Sequence, residues 1–473
     1  MTDITDDKPK RSVSRRDFVK ISGAAALGFA GINSQQSSTA RTGTGKPNIL
    51  VILTDQQHID SIRAAGCTDV MTPAMDQLVE QGVHFTESYS TNPVCSPARS
   101  SIVTGRMSTE TGVYTNGKRI RRDIPNIGQW FSEQSDYECV YAGKWHVPRT
   151  HQKSIQGFRV LTTGIGGHGI LGDTSTSRAC EGYIKNRSDS NPFLMIASFL
   201  QPHDICEWLR LNTFLPEGPS YPIHRDKLPE LPPNFEYDTT EPAYLKRLRE
   251  TREGEIGKWT HDHWRYYRWS YYRHIEMVDG EIGRLLDALD DTGQIDNTII
   301  LLTSDHGEGM GHHQTVRKSL PYDEAAKVPL IVSYPGQIRK NIKDRNHLVS
   351  GVDIVPTLCD FAGLKAPAHM RGKSLRPILE GKQVAWHDFV VTELPGDRAR
   401  MIRTKRYKYI AYRDDPVDML FDREKDPGET VNQAANPAYA SAVRDHRKLL
   451  TDWEKTLDVV PDLPGANAWW RQG

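Results

Sequence analysis

Cysteine is scarce in this sequence and scattered: the six copies, at 67, 95, 139, 180, 206 and 359, repeat no spacing. That excludes a disulfide framework and a zinc module, while one or two bridges stay open in an oxidising compartment. Net charge is absent as well. Sixty Lys and Arg balance sixty Asp and Glu, so the chain lacks the basic excess of a nucleic-acid binder and any field toward an acidic membrane. No apolar run reaches the ~18–20 residues of a membrane span, and no repeat marks a solenoid. At 473 residues the chain suits one large core with a smaller appendage.

What is present begins with a leader pattern. Ser14-Arg15-Arg16-Asp17-Phe18-Val19-Lys20 precedes a weakly apolar run from Ile21 to Ile32. Paired arginines before a short h-region resemble a twin-arginine export signal, with Ser38-Thr39-Ala40 as small residues for cleavage; a plain basic tail is the blander alternative. Residues 1–45 are read as signal peptide and linker. The protein is then expected to pass the Tat translocon and to be periplasmic or secreted.

From Pro47 the texture changes. Ile49-Leu50-Val51-Ile52-Leu53-Thr54-Asp55-Gln56 is a continuous apolar run ending in an acid, the pattern of a buried parallel strand. Thr72-Pro73 opens an amphipathic helix with Met75, Leu78 and Val79 on one face. Glu138–Ala142, Phe193–Leu200, Asn297–Thr303 and Val328–Ser333 read as further strands, His261–Asp291 and Val352–Phe361 as helices. Residues from about 205 to 262, rich in Pro, Glu and Arg, read as a long looped insertion. After about 384, Phe389–Thr392, Ala399–Arg403, Tyr407–Tyr412 and Met419–Phe421 read as strands, with Ala440–Leu457 as a packing helix. The expected fold class is α/β: a large mixed, mostly parallel sheet flanked by helices over 46–383, and a small C-terminal antiparallel-sheet subdomain over 384–473.

The chemistry gathers around Pro93-Val94-Cys95-Ser96-Pro97-Ala98-Arg99, followed by Thr104-Gly105-Arg106. Pro97 suits a first helical turn and puts Cys95 at the helix N-terminus, where free N–H groups favour an anion. Arg99, one turn on, adds a positive charge on the same face. A small buried hydrophobe is the bland alternative for the cysteine. Asp55-Gln56, Cys95 with Arg99, Lys144 with His146, and Asp305-His306 all stand at strand ends or helix starts, where open α/β sheets bind ligands. Asp55, Gln56 and Asp305 offer oxygen ligands and His306 a nitrogen or a hydrogen bond. That set favours Ca²⁺ first and Mg²⁺ second over zinc.

These residues resemble the signature of the type I sulfatases, in the alkaline-phosphatase superfamily. The likeness runs from Pro47 to about Asn432. It includes Gly143-Lys144-Trp145-His146, Pro202-His203, Ser304-Asp305-His306-Gly307-Glu308, Lys318 before Pro321-Tyr322-Asp323-Glu324, and Phe421–Glu429. It implies an alkaline-phosphatase-like fold and hydrolysis of sulfate esters, with a sulfated carbohydrate as the expected substrate. It implies too that Cys95 becomes Cα-formylglycine, through a formylglycine-generating enzyme acting before folding and export. Of the two hydroxyls of the hydrated aldehyde, one attacks sulfur; the other, once deprotonated, expels sulfate. By the family pattern Asp55, Gln56, residue 95, Asp305 and His306 surround Ca²⁺, and Arg99 and Lys144 hold the nucleophile and sulfate oxygens. His146 serves as base, while His203 and Lys318 contact sulfate and help protonate the leaving oxygen.

Several positions depart from that pattern or extend it. Gln56 stands where the family often has Asp, keeping a carbonyl ligand and removing a charge. Relatives that cleave phosphonate and phosphate esters share the Asp-Gln pair. A phosphonate monoester or phosphodiester hydrolase is therefore the rival enzyme, and an inactive sulfated-glycan binding protein the rival of another class. His312 and His313, where relatives are often acidic, either bind a substrate anion or are structural. Cys206 is read as structural or disulfide-bonded. The run Lys118-Arg119-Ile120-Arg121-Arg122 is a solvated face or, through Arg119, a subsite for an anionic sugar. Trp208, Arg210, His261, His263 and Trp264 would rim the pocket, as aromatic and basic groups suited to sugars.

Overall fold

Asn48–Asp55 (β1) forms the spine of the molecule in this computed structural model, which describes residues 45–149, 152–163, 168–188, 191–212 and 226–460, without the side chains of 253–255. The export signal expected within residues 1–45 lies outside the described residues, apart from Gly45. The remaining strands are β2 (Gly82–Phe85), β3 (Ser88–Tyr89), β4 (Glu138–Gly143), β5 (Arg159–Thr162), β6 (Phe193–Pro202), β7 (Thr298–Ser304), β8 (Leu330–Ser333), β9 (Ile342–Asp344), β10 (Val349–Ser350), β11 (Phe389–Glu393), β12 (Ala399–Thr404), β13 (Tyr407–Tyr412) and β14 (Met419–Asp422). An eight-stranded sheet runs in the order β5-β4-β6-β1-β7-β8-β2-β9. All its pairings are parallel except the two that β8 makes with β7 and β2.

Both faces of this sheet are covered, which explains why β1 is apolar without alternation. Leu50 and Ile52 pack among residues of helices Pro73–Gln81, Gly169–Asn186 and His261–Asp291. Ile49, Val51 and Leu53 pack against helices Cys95–Thr104, Ile127–Gln134 and Ile354–Phe361. Because β4, β6, β1 and β7 are parallel neighbours, their C-terminal ends share one edge. The register pairs Gly143 with Ser198, Asp55 with Pro202 and Thr54 with Ser304. The chain leaves that edge four times, and each exit carries a polar group of the site.

Strands β11 to β14 form an antiparallel meander. Met401, Ile410, Met419 and Phe421 face a cluster with Tyr89, Leu320, Tyr322 and Ala325. Ile402, Tyr409, Ala411 and Leu420 face Leu450 of helix Ala440–Glu454. Asp323 ties this sheet to the larger one through Lys408 (2.9 Å) and Arg423 (2.5 Å).

Two expectations change. The stretch 205–262 is not only loop, since Ile205–Asn212 and Ala243–Ile256 are helices. The second is so rich in Lys, Arg and Glu that its apolar stripe, the signal on which a helix is read from sequence, is thin. All six cysteines are free, so Cys206 is not bridged and no disulfide forms. Among the described residues no helix is long and apolar enough to cross a membrane.

Candidate active site

Cys95 is the first residue of the Cys95–Thr104 helix, after an extended Val94, and Gly105 ends that helix at φ 68 in the left-handed region glycine adopts freely. Cys95 is 1 % exposed. Its Sγ lies 3.0 Å from Lys318 Nζ, 3.2 Å from His306 Nε2 and 3.9 Å from Asp55 Oδ1. Burial and Asp55 would push the thiol up, but Lys144, Lys318 and His306 outweigh them and hold it well below the ordinary thiol range. The free N–H of Ser96 donates to Asn116 Oδ1 (3.0 Å), and Ser96 Oγ donates to the carbonyl of His146 (2.5 Å).

Arg99 binds the site together from below. Its guanidinium donates to Asp55 (3.0 Å), Asp305 (2.8 Å), the Lys144 carbonyl (2.9 Å) and Ser198 Oγ (2.8 Å), touching the ends of β1, β7 and β4 and the middle of β6 in turn. Lys144 Nζ reaches Asp55 Oδ2 at 2.5 Å, and His203 Nε2 stands 4.0 Å from Asp55 Oδ1. Burial would raise the Asp55 carboxyl, yet Lys144, His203, Arg99 and Lys318 hold it well below the usual range. Asp305 goes the other way: burial and the neighbouring Asp55 raise it against His306 and Arg99. Burial, with Lys318 and Lys144, keeps His203 neutral-favouring, its basicity well below that of a free imidazole. The His203 side chain is 28 % exposed and opens the site to solvent.

Gln56 is held in a left-handed conformation (φ 69), a strained geometry for a non-glycine that its surroundings must impose. Three groups impose it. Its N–H donates to Asp305 Oδ1 (3.1 Å), its carbonyl accepts from Tyr271 (2.7 Å), and its side-chain amide donates to Glu308 (2.5 Å). Glu308, fully buried, also accepts from Tyr267 (2.6 Å) and the backbone of Arg317. Cys206 Sγ lies 3.6 Å from Gln56 Oε1 and 3.3 Å from its Nε2. Sequence reasoning did not assign a role to Glu308, Tyr267 or Tyr271. The two tyrosines stand four apart on one helix and share a face, a signal readable only once that face has a partner.

Lys318 arrives on an unusual loop. Met310, His313, Gln314, Arg317 and Ser319 all have positive φ, so the segment needs outside support. Helix Ala243–Ile256 supplies it. Arg249 donates to the His313 carbonyl (2.6 Å) and the Gln314 carbonyl (3.3 Å), Arg252 to the carbonyls of Val316 and Lys318 (the latter 2.8 Å). Tyr244 donates to the Ser319 carbonyl (2.9 Å). Arg249 is itself fixed by both oxygens of Glu241 (2.7 Å each).

Six of the remaining candidates are packed, bonded or paired. His313 is 1 % exposed and stacks on Tyr322 at 4.0 Å, which puts it in the core rather than at a mouth. His312 bonds Asn234 (2.5 Å), lies 3.2 Å from Glu324 and stacks on His58 (5.5 Å). Trp208 packs edge-on against Trp259 and tilts against Tyr267. Arg210 pairs with Glu207 (2.8 Å), and His263 Nδ1 accepts from Thr260 N–H (3.1 Å) at a helix start. Trp264 is buried, while His261 and Arg119 are exposed. His146 has φ 61, and its Nδ1 is buried without a hydrogen-bond partner.

One ligand atom from each of Asp55, Cys95, Asp305 and His306 lies within 4.8 Å of the others. Two carboxylates and an imidazole, with position 95 between them, form a donor set able to hold a divalent cation. The thiol there occupies the place an oxygen would take in an oxidised side chain.

A family model described as Sulfatase matches residues 47–364, and one described as N-sulphoglucosamine sulphohydrolase, C-terminal, matches 311–456. A Delta 4,5-hexuronate-2-O-sulfatase of Bacteroides thetaiotaomicron is 32% identical across 86% of this chain and 89% of its own. An N-acetylglucosamine-6-O-sulfatase of the same species is 27% identical across 93% and 91%. A solved 2-O GAG sulfatase superposes with a TM-score of 0.78 at 31% identity, over 89% of this chain and 96% of that one.

Proposed function

The chain belongs to the sulfatase family, and from that premise we propose that it is an exported sulfatase that desulfates a sulfated carbohydrate, with position 95 acting as formylglycine beside Ca²⁺. The observation that carries this reading is the surroundings of Cys95: a 1 % exposed side chain with Lys318 at 3.0 Å, His306 at 3.2 Å and Asp55 at 3.9 Å. Formylglycine, when hydrated, supplies one hydroxyl to attack sulfur and a second to release sulfate. Asp55, Gln56, Asp305, His306 and residue 95 would hold the cation, which would supply positive charge to offset that of the sulfate.

This chain's own residues do the rest. Arg99 orients both ligand carboxylates while anchored to Lys144 O and Ser198 Oγ, so the donor set is preorganised before substrate arrives. The ammonium groups of Lys144 and Lys318 bear on the same few ångströms and oppose the charge that grows on the sulfuryl oxygens. His203, partly exposed and favouring its neutral form, relays a proton toward the leaving oxygen. His146, with a buried ring nitrogen that has no partner, takes the proton from the second hydroxyl.

The substrate class follows from the relatives, one a hexuronate 2-O-sulfatase and one an N-acetylglucosamine-6-O-sulfatase. Desulfation of defined sulfated oligosaccharides is the test, with release of sulfate from at least one expected. The rival on this scaffold rests on Gln56 beside Asp55. A phosphonate monoester hydrolase of Agrobacterium radiobacter shares the fold, with a TM-score of 0.73 at 24% identity over 87% of this chain and 96% of its own. If kcat/KM for an aryl phosphonate clearly exceeds that for the matching aryl sulfate, the sulfatase proposal fails. Export is tested separately, by replacing Arg15 and Arg16 with lysine and locating the protein.

A further inference from the structure

The site described above leaves a group of cations unused. Lys118 and Arg119, on the loop after the motif helix, are exposed, and neither has an acidic partner among the described residues. Nearby Arg121 differs, pairing with Asp123 (2.7 Å) and Asp458 (3.1 Å). Arg398, in the turn before β12, is also exposed and without an acidic partner among the described residues. Its neighbour Asp397 is buried and bonded to Arg400 and Arg413, so it does not neutralise this surface.

One backbone link and one side-chain link tie the two loops to each other and to the motif helix. The Gly396 N–H donates to the Tyr114 carbonyl at 2.8 Å, and Asn116 Oδ1 accepts the N–H of Ser96, next to Cys95. Three residues of chain reach at most ~11 Å, so Arg119 stays close to that anchor. Lys118 Nζ lies 5.2 Å from the Tyr114 ring centre, a cation–π contact that keeps it on this rim. The Arg398 side chain lies against Gly396, at the same link between the two loops. Burial pushes the Tyr244 hydroxyl up to about 12, and Arg252 and Arg398 both act against that rise. Tyr244 in turn holds the Ser319 carbonyl, beside Lys318. Unpaired cations on two loops repel each other, and an anion lodged between them relieves that repulsion.

We propose that Lys118, Arg119 and Arg398 form a second anion subsite, which takes a carboxylate or sulfate on a sugar next to the one being desulfated. The proposal rests on the sulfatase reading and deepens it: the substrate is a polyanionic oligosaccharide rather than a single sulfated sugar. It is tested with the variant Lys118→Ser/Arg119→Ser/Arg398→Ser, whose folding is checked by thermal melting. The readout is the ratio of kcat/KM for a defined polyanionic oligosaccharide to kcat/KM for a small aryl sulfate, across a salt series. The ratio is expected to fall about ten- to a hundredfold at low salt, and its salt dependence to flatten. An unchanged ratio, or equal losses on both substrates, overturns the subsite. Absence of sulfate release by the wild-type protein from both kinds of substrate would instead overturn the reading on which it rests. Oligosaccharides whose additional anions are only carboxylates or only sulfates then identify which group is held.

Discussion

Arg252→Met tests whether the helix Ala243–Ile256 positions Lys318. Arg252 is 8 % exposed, has no carboxylate partner among the described residues, and donates to the carbonyls of Val316 and Lys318. Each hydrogen bond from a charged donor contributes about 1.5–3 kcal/mol, so about 3–6 kcal/mol of support is removed. Relief of the buried cation's desolvation offsets part of that loss. The supported segment holds five non-glycine residues at positive φ, each costing about 1 kcal/mol or more. It is therefore the part of the molecule that yields. Lys318 Nζ stands 3.0 Å from the side-chain atom of residue 95, and a displacement of about 1 Å at a reacting centre costs on the order of a hundredfold in rate. The expected result is a fall of about a hundredfold in kcat with a smaller change in KM, partly restored by Arg252→Lys. The assay is a cycle with Lys318→Ala on an aryl sulfate. If Arg252 acts through Lys318, the double variant is no slower than Lys318→Ala alone, within about threefold. Fully additive losses, or wild-type rates in Arg252→Met, would refute the reasoning.

Cys95→Ala should abolish turnover while leaving the thermal midpoint near that of wild type, and the peptide carrying residue 95 from the native host should show the mass of formylglycine; an unmodified thiol there contradicts the mechanism. Glu308→Gln removes the carboxylate that fixes the Gln56 amide, and should weaken Ca²⁺ binding about ten- to a hundredfold, measured by calorimetry on the apo protein. His84 is buried and His274 half-buried, the ring nitrogens of both are buried without a hydrogen-bond partner, and their desolvation holds each at about 4. For His84, Lys343 and Lys327 act with burial and Asp60 against it; for His274, Asp204 opposes it. Unfolded histidine titrates near ~6.5, so the stability these residues contribute is complete above that pH and is lost as pH falls toward 4. Each should cost about 2 kcal/mol between pH 7 and pH 5. Urea midpoints across that range check it, and a slope unchanged in His84→Gln would show the assignment to be wrong.

Local pattern was enough for much of this protein. Continuous apolar runs ending in acids mark β1 and β7 because strands buried on both faces need no polar alternation. The 31-residue helix His261–Asp291 announces itself through Ile275, Val278, Ile282 and Leu286, and the Cys95 motif carries its own helix start. The charged helix Ala243–Ile256 was invisible, since its few buried apolar residues, chiefly Leu245, are outnumbered by charged ones, among them the arginines that grip the carbonyls of a loop more than sixty residues away. His312 and His313 looked alike in sequence, and both meet Asn234 and Glu324, yet His313 is buried beneath Tyr322 while His312 is less deeply buried and stacks on His58. Adjacent residues can differ in burial, and only packing decides which is covered. Of the four polar groups expected to converge, Asp55-Gln56, Lys144 with His146 and Asp305-His306 follow strands that the order β4-β6-β1-β7 puts on one edge, while the Cys95 helix start joins them through Arg99. Sequence thus determined which chemical groups this protein possesses and the local structure that carries them. Tertiary structure decided which of those groups meet, because pairing between strands and support for a strained loop are long-range interactions with no periodic trace in the chain.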